Sequence, residues 1–144
     1  MLQELGARHE RNHLCSLGPF EDISAGTLEE RAEKTRMSVA LAKAVLYQPV
    51  LVTRCTLDGH DCEILGIPDF FIRDGEGYLI RDTKISRHAD EENHYETVLQ
   101  LNLYGWLFQQ VFGIQPTALQ AVLGDGSTQP VTYDGGASAQ ALLR

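Results

Sequence analysis

Cysteine is scarce in this chain of 144 residues: Cys15, Cys55 and Cys62 are odd in number and form no Cys-x-x-Cys pair. That excludes a zinc ribbon and a disulfide framework. Long apolar runs are missing too. No segment approaches the roughly 20 residues a helix needs to cross a bilayer, so no membrane partner is expected. No Gly-rich loop ends in Lys-Ser or Lys-Thr, which excludes an ATP motor built on a phosphate-cradling loop. No serine sits at a strained strand-to-helix turn, which leaves Ser-His-Asp catalysis without support. Positive charge is in short supply as well, with 12 Lys and Arg against 20 Asp and Glu and a formal net charge of −8. Non-specific grip on a phosphate backbone draws on Lys and Arg, so this balance weighs against tight nucleic-acid binding. Two local gatherings soften that objection: Arg31, Lys34 and Arg36, then Arg81, Lys84, Arg87 and His88. Met1-Leu2-Gln3-Glu4-Leu5 leads into a charged amphipathic pattern and not into a signal peptide, so a cytoplasmic location is expected.

With 43% hydrophobic residues, the chain reads as a single domain over residues 1–144 with a substantial core. Apolar spacing predicts a helix from residue 1 to about 17, ending before Gly18-Pro19. No cap residue precedes it, which suggests an excerpt of a longer chain. Thr27 with Glu30 three residues on is a capping-box pattern. It opens a second predicted helix that runs to Val45 or Leu46. Val50 to Leu57 reads as a strand. Asp58-Gly59 then turns the chain into a strand that carries Asp69, and a third strand carries Asp82 and Lys84. These three are expected to form an antiparallel meander. A long, mostly apolar helix is predicted from Glu91 to Phe112, ending at Gly113. The strand after it, Thr117 to Leu123, should run parallel to its neighbour, because a helical crossover intervenes. Pro130 to Tyr133 reads as a short edge strand, and Ala137 to Arg144 as the start of a helix. The expected class is α/β: a mixed sheet with helices packed on it.

One constellation carries chemistry. Gly66-Ile67-Pro68-Asp69 is followed by Arg81-Asp82-Thr83-Lys84, the two joined by the turn Asp74-Gly75-Glu76-Gly77. If the turn centres on Gly75-Glu76, counting back along both strands brings Asp69 opposite Asp82. Directly opposed residues have Cβ atoms about 4.5–5.5 Å apart, and like charges so placed repel. A divalent cation such as Mg²⁺ or Mn²⁺ reverses the sign of that interaction, because hard cations take carboxylate oxygens. Lys84 lies two residues beyond Asp82 and should share its face. The bland alternative is a solvated sheet face with ordinary charges. Against it, the flanking strands are apolar on both faces, and such strands are usually covered on both sides. A carboxylate there needs a partner or a metal.

Gln100 and Tyr104 lie four apart on the long helix and share a face. Gln100 could bond Lys84 or a metal-bound water, and Tyr104 could meet a phosphate or a base. Equally, Gln100 could close a small polar network and Tyr104 pack as core with its hydroxyl at the rim. His9 and His13 stand at i, i+4, a spacing able to share a metal, but no third ligand is near in sequence. His88 and His94 read as exposed.

Taken together, Leu5-Gly6-Ala7-Arg8-His9-Glu10, Gly66-Ile67-Pro68-Asp69, Ile80-Arg81-Asp82-Thr83-Lys84 and Gln100-Leu101-Asn102-Leu103-Tyr104 resemble the PD-(D/E)xK nuclease superfamily. The likeness is to its RecB-like branch, which includes CRISPR-associated RecB-like exonucleases; the Gln-x-x-x-Tyr piece marks that branch. The resemblance implies a restriction-endonuclease-like core and metal-dependent hydrolysis of DNA, single-stranded or at duplex ends, in repair or recombination. It implies that His9, Asp69, Asp82 and the Thr83 carbonyl hold Mg²⁺ or Mn²⁺. It implies that Lys84 orients or deprotonates the attacking water, and that Gln100 and Tyr104 steady the site and the strand. Relatives with an iron–sulfur cluster use four cysteines, and none stands after Cys62 here, so no cluster is expected. A fused or associated helicase or second nuclease domain is an implied partner. The rival expectation is a catalytically inactive nuclease-fold module that binds nucleic acid or scaffolds such a partner.

Overall fold

The computed structural model describes residues 2–83 and 91–143. The order of elements is α1 (Leu2–Ser16), β1 (Glu21–Asp22), α2 (Leu28–Ala40), β2 (Val45–Tyr47), β3 (Leu51–Leu57), β4 (His60–Gly66), β5 (Phe70–Asp74), β6 (Gly77–Thr83), α3 (Glu91–Phe112), β7 (Ala118–Val122), β8 (Thr128–Val131) and α4 (Ala137–Leu142). Among the described residues, six strands form one sheet in the order β1-β2-β5-β6-β7-β8. β2, β5 and β6 run antiparallel in succession, and β7 lies parallel to β6 after the α3 crossover. This is the expected α/β fold, a mixed sheet flanked by helices.

The sheet is covered on both sides, and its strand pattern shows why. On β6, Tyr78 and Ile80 point into the main core, where they join Leu101, Leu107 and Phe108 of α3. The alternate residue Arg81 faces α1, where its Nη1 meets His13 Nε2 at 3.1 Å. Period-two alternation thus assigns one face to each helix. Arg81 also donates twice to Gln120 Oε1 on β7, at 2.9 and 2.7 Å. A half-buried guanidinium still needs hydrogen-bond partners, and Gln120 and His13 supply them. The Thr27 cap is present: its Oγ1 accepts the Glu30 amide at 3.1 Å.

Two sequence expectations are corrected. The second helix, expected to run to Val45 or Leu46, ends at Ala40, and Val45–Tyr47 is a strand paired with β5. The stop is a left-handed residue, Ala42 at φ 56°, with Lys43 donating to the Ser38 carbonyl at 3.0 Å. Helices commonly end this way on glycine, and alanine gives no such signal. Burial of Val45 and Leu46 in the sheet overrides the helix propensity of the run.

The three-strand meander is likewise split. β3 and β4 pair with each other in a separate two-stranded sheet, while β5 and β6 sit in the main one. The run Ile64 to Ile72 is interrupted at Ile67-Pro68-Asp69. Pro68 has no amide to give a ladder and restricts Ile67 before it, so the chain breaks there and changes sheet.

Candidate active site

The break places Asp69 at the entrance of β5. Asp74 pairs with Gly77 and Phe70 with Arg81, so the turn and register are those expected, and one further step brings Asp69 to Asp82. At that step side chains take over from the ladder. Asp82 Oδ1 accepts the Asp69 amide at 2.8 Å. In return Asp69 Oδ2 accepts the Thr83 amide at 2.8 Å and the Thr83 hydroxyl at 2.9 Å. Each carboxylate therefore braces the strand opposite. Three hydrogen bonds thus tie the two strands together where their acids face each other. Asp82 is only 4% exposed.

A third acid joins them from α1. Glu10 accepts from Tyr47 Oη at 2.5 Å and from Gln48 Nε2 at 3.3 Å. It also acts on Asp69. The Asp69 carboxyl is pushed up to about 8 by burial first, then by Asp82, then by hydrogen bonding and repulsion from Glu10. Burial and the bond to Glu10 likewise raise Tyr47. Glu10 lies one turn before the buried Leu14, on the stripe of α1 that faces the sheet. A carboxylate on that stripe calls for a partner.

Tyr104 of α3 stands on the other side. Gln100 Nε2 donates to Tyr104 Oη at 2.9 Å, so the expected pair is formed. The Tyr104 hydroxyl is pushed up to about 12, by burial and then by the charge of Asp82. Its ring lies against the end of β4: a Cβ on Gly66 would stand 3.0 and 3.1 Å from Tyr104 Cδ1 and Cε1, and 2.6 Å from Leu107 Cδ1. Gly66 thus permits the approach that brings α3 to the acids.

The remaining expected site residues fall as follows. His9 places Nε2 3.5 Å from the Val122 carbonyl, a long contact at the end of β7, and Val122 is the ladder partner of Thr83. His13 does not join His9 in a pair. It serves Arg81 and packs edge-on against Phe70, with rings 5.3 Å apart, and burial followed by Arg81 holds its pKa down. Lys84, Arg87 and His88 lie outside the described residues. Among the described residues, no three His, Cys, Asp or Glu side chains converge as a preformed ion cage. The donor set still fits a hard divalent cation. Glu10 and Asp82 both act on Asp69, whose carboxyl is raised by burial first and by these two acids after it, and a cation there would favour its ionised form.

A family model for the PD-(D/E)XK nuclease superfamily matches residues 2–133, a span that takes in every residue of this site. The chain belongs to that superfamily. Nucleases of the superfamily act on DNA and generally use divalent metal ions. A solved structure, the crystal structure of SSO0001, is similar in fold, with a TM-score of 0.52 at 14% identity, covering 98% of this chain and 82% of that one. No curated protein matches the sequence. No helix among the described residues is long and apolar enough to cross a membrane.

Proposed function

We propose that this superfamily member is a Mg²⁺- or Mn²⁺-dependent DNA nuclease of the RecB-like branch, acting as an exonuclease in repair or recombination in the cytoplasm. The observation that carries the reading is the cross-braced Asp69–Asp82 pair with Glu10 against it, an acid cluster that retains a proton to near pH 8. A purely structural hairpin has no use for that repulsion.

When bound, a divalent ion would polarise the phosphoryl oxygen and lower the pKa of a water. Asp69 and Asp82 would hold it, with His9, Glu10 and the Thr83 carbonyl as nearby donors. Lys84 would orient the attacking water or take its proton. Tyr104 keeps its proton at neutral pH and so can donate a hydrogen bond to a phosphate oxygen, with Gln100 fixing its hydroxyl. Strand or duplex-end DNA is the substrate, and a helicase or second nuclease domain is the associated partner in this reading.

The test is cleavage of end-labelled single-stranded and duplex DNA by the purified chain in Mg²⁺, Mn²⁺ or EDTA, with Asp82→Asn and Lys84→Ala alongside. Divalent-dependent shortening from an end, abolished in both variants, is expected. Divalent-dependent DNA binding with no cleavage in any arm would favour the inactive-module reading instead.

A further inference from the structure

The basic residues give a second result. Nine Lys and Arg lie among the described residues, and seven are committed to the protein itself. Arg31 donates to the Ile23 and Gln48 carbonyls, and Lys34 to the Asp22 carbonyl. Arg36 pairs with Glu33, Lys43 with Glu21 and Arg54 with Glu63. Arg73 lies over the Tyr78 ring, and Arg81 is held by Gln120 and His13. In the first local cluster expected to attract nucleic acid, Arg31 and Lys34 thus tie α2 to the chain around β1 and β2, and Arg36 pairs within α2.

Two cations remain without any internal partner among the described residues: Arg8 and Arg11. Both are exposed. They stand three apart on α1, so they share its water-facing side. Glu10 lies between them in sequence and points the other way, to Tyr47 and Asp69. The turn of helix that lends an acid to the site thus carries two guanidinium groups on its opposite side, without a partner among the described residues.

Arginine is suited to phosphate because its planar fork bonds two oxygens at once. In a chain of net charge −8, these two exposed groups have no partner among the described residues and stand on the helix that brings Glu10 to the acids. We propose that Arg8 and Arg11 form a phosphate clamp: the DNA strand flanking the cleaved bond crosses the outer side of α1, and its backbone phosphates pair with these two side chains. The clamp rests on the nuclease reading for its substrate. It explains how a strongly acidic domain keeps a polyanion at an acidic site.

The experiment measures the affinity of the intact chain for a short fluorescent single strand by anisotropy, in Mg²⁺, across a salt series, in the Lys84→Ala background. Arg8→Gln/Arg11→Gln is compared with Arg36→Gln/Arg54→Gln, which removes the same charge from ion-paired sites. Counterion release predicts that the first pair flattens the slope of log K against log salt by about 1.4, at ~0.7 per single-strand phosphate contact, and weakens binding about tenfold or more at low salt. The second pair should leave the slope unchanged, and Arg8→Lys/Arg11→Lys should restore most of it. Wild-type cleavage is assayed in parallel. Cleavage with an unchanged slope in Arg8→Gln/Arg11→Gln, or an equal loss in both charge pairs, overturns the clamp and leaves the nuclease reading intact. A slope that depends on Arg8 and Arg11 without cleavage supports phosphate pairing by these two side chains and overturns the nuclease reading. Neither binding nor cleavage by the wild type overturns both.

Discussion

Asp69→Asn should make the metal-free protein more stable, not less, and increasingly so as pH rises. The amide keeps an oxygen to accept the Thr83 amide and hydroxyl, so the brace survives while the charge is removed. The Asp69 carboxyl moves from its usual 3.8 to about 8 on folding. A raised acid pKa means the folded state holds a proton that the unfolded state has released, so stability falls with pH between about 4 and about 8. Each unit is worth ~1.4 kcal/mol, which sets a ceiling of roughly 6 kcal/mol on the cost of the ionised group. Relaxation and water entry return much of such a cost, leaving an expected gain for the variant of about 2 kcal/mol at pH 8. For a domain of this size that is a rise of roughly 4–10 °C in Tm. The assay is thermal unfolding in EDTA from pH 4.5 to 8.5 for both proteins. The gap between them should open as pH rises. Excess Mg²⁺ or Mn²⁺ at pH 8 should then narrow it, because a ligand at a hundred times its Kd stabilises the wild type by about 2.7 kcal/mol. A variant that melts below the wild type at pH 8, or a gap independent of pH, refutes the claim that burial and the neighbouring acids raise the Asp69 carboxyl in the fold.

Further outcomes follow from the same geometry. Gly66→Ala should lower stability by about 1–3 kcal/mol, the usual cost of overpacking, and should cut DNA cleavage more deeply than the melt alone explains, since the added carbon strikes Tyr104 and Leu107. Tyr104→Phe removes the hydroxyl bonded to Gln100; its melt should shift by no more than about 1 kcal/mol while its cleavage rate falls, as separate melting and cleavage assays would show. Arg81→Met should lose about 1.5–3 kcal/mol with the fork to Gln120 and the contact to His13, and hydrogen exchange should quicken in α1 before it does in α3.

Much of this arrangement was legible in the chain because it is local. The Asp74–Gly77 turn sets the β5–β6 register, and register alone brings Asp69 to Asp82 across 13 residues. Gln100 and Tyr104 meet because the helix repeat puts them there. Thr27 and Glu30 announce their cap by spacing. What could not be read depends on partners remote in sequence or on residues that act out of type. Ala42 stops a helix in a conformation glycine usually marks, so the strand Val45–Tyr47 was hidden in a helical pattern. Pro68 was visible, but that it divides two sheets instead of bending one follows only from where β4 and β5 find their neighbours.

Glu10 is the most telling of these cases. Its neighbour His9 attracts notice by residue type, yet it is Glu10 that reaches Tyr47, 37 residues away, and Gln48, 38 away. Both lie where the sequence predicts the end of a helix and the lead-in to a strand, so nothing nearby named a recipient for the acid. The third carboxylate of the site thus became visible only once β2 was seen as a strand, because β2 and the residue after it supply the donors that position Glu10 beside Asp69. The short strand β2 and the placement of Glu10 in the acid cluster are therefore one structural fact. By the same logic, Tyr47→Phe should release Glu10 from its 2.5 Å bond. Losing that positioning while keeping all three acids should raise the Mn²⁺ concentration needed for half-maximal cleavage, with the thermal midpoint in EDTA changed little. An unchanged Mn²⁺ requirement would show that Glu10 braces the fold and takes no part in holding the ion.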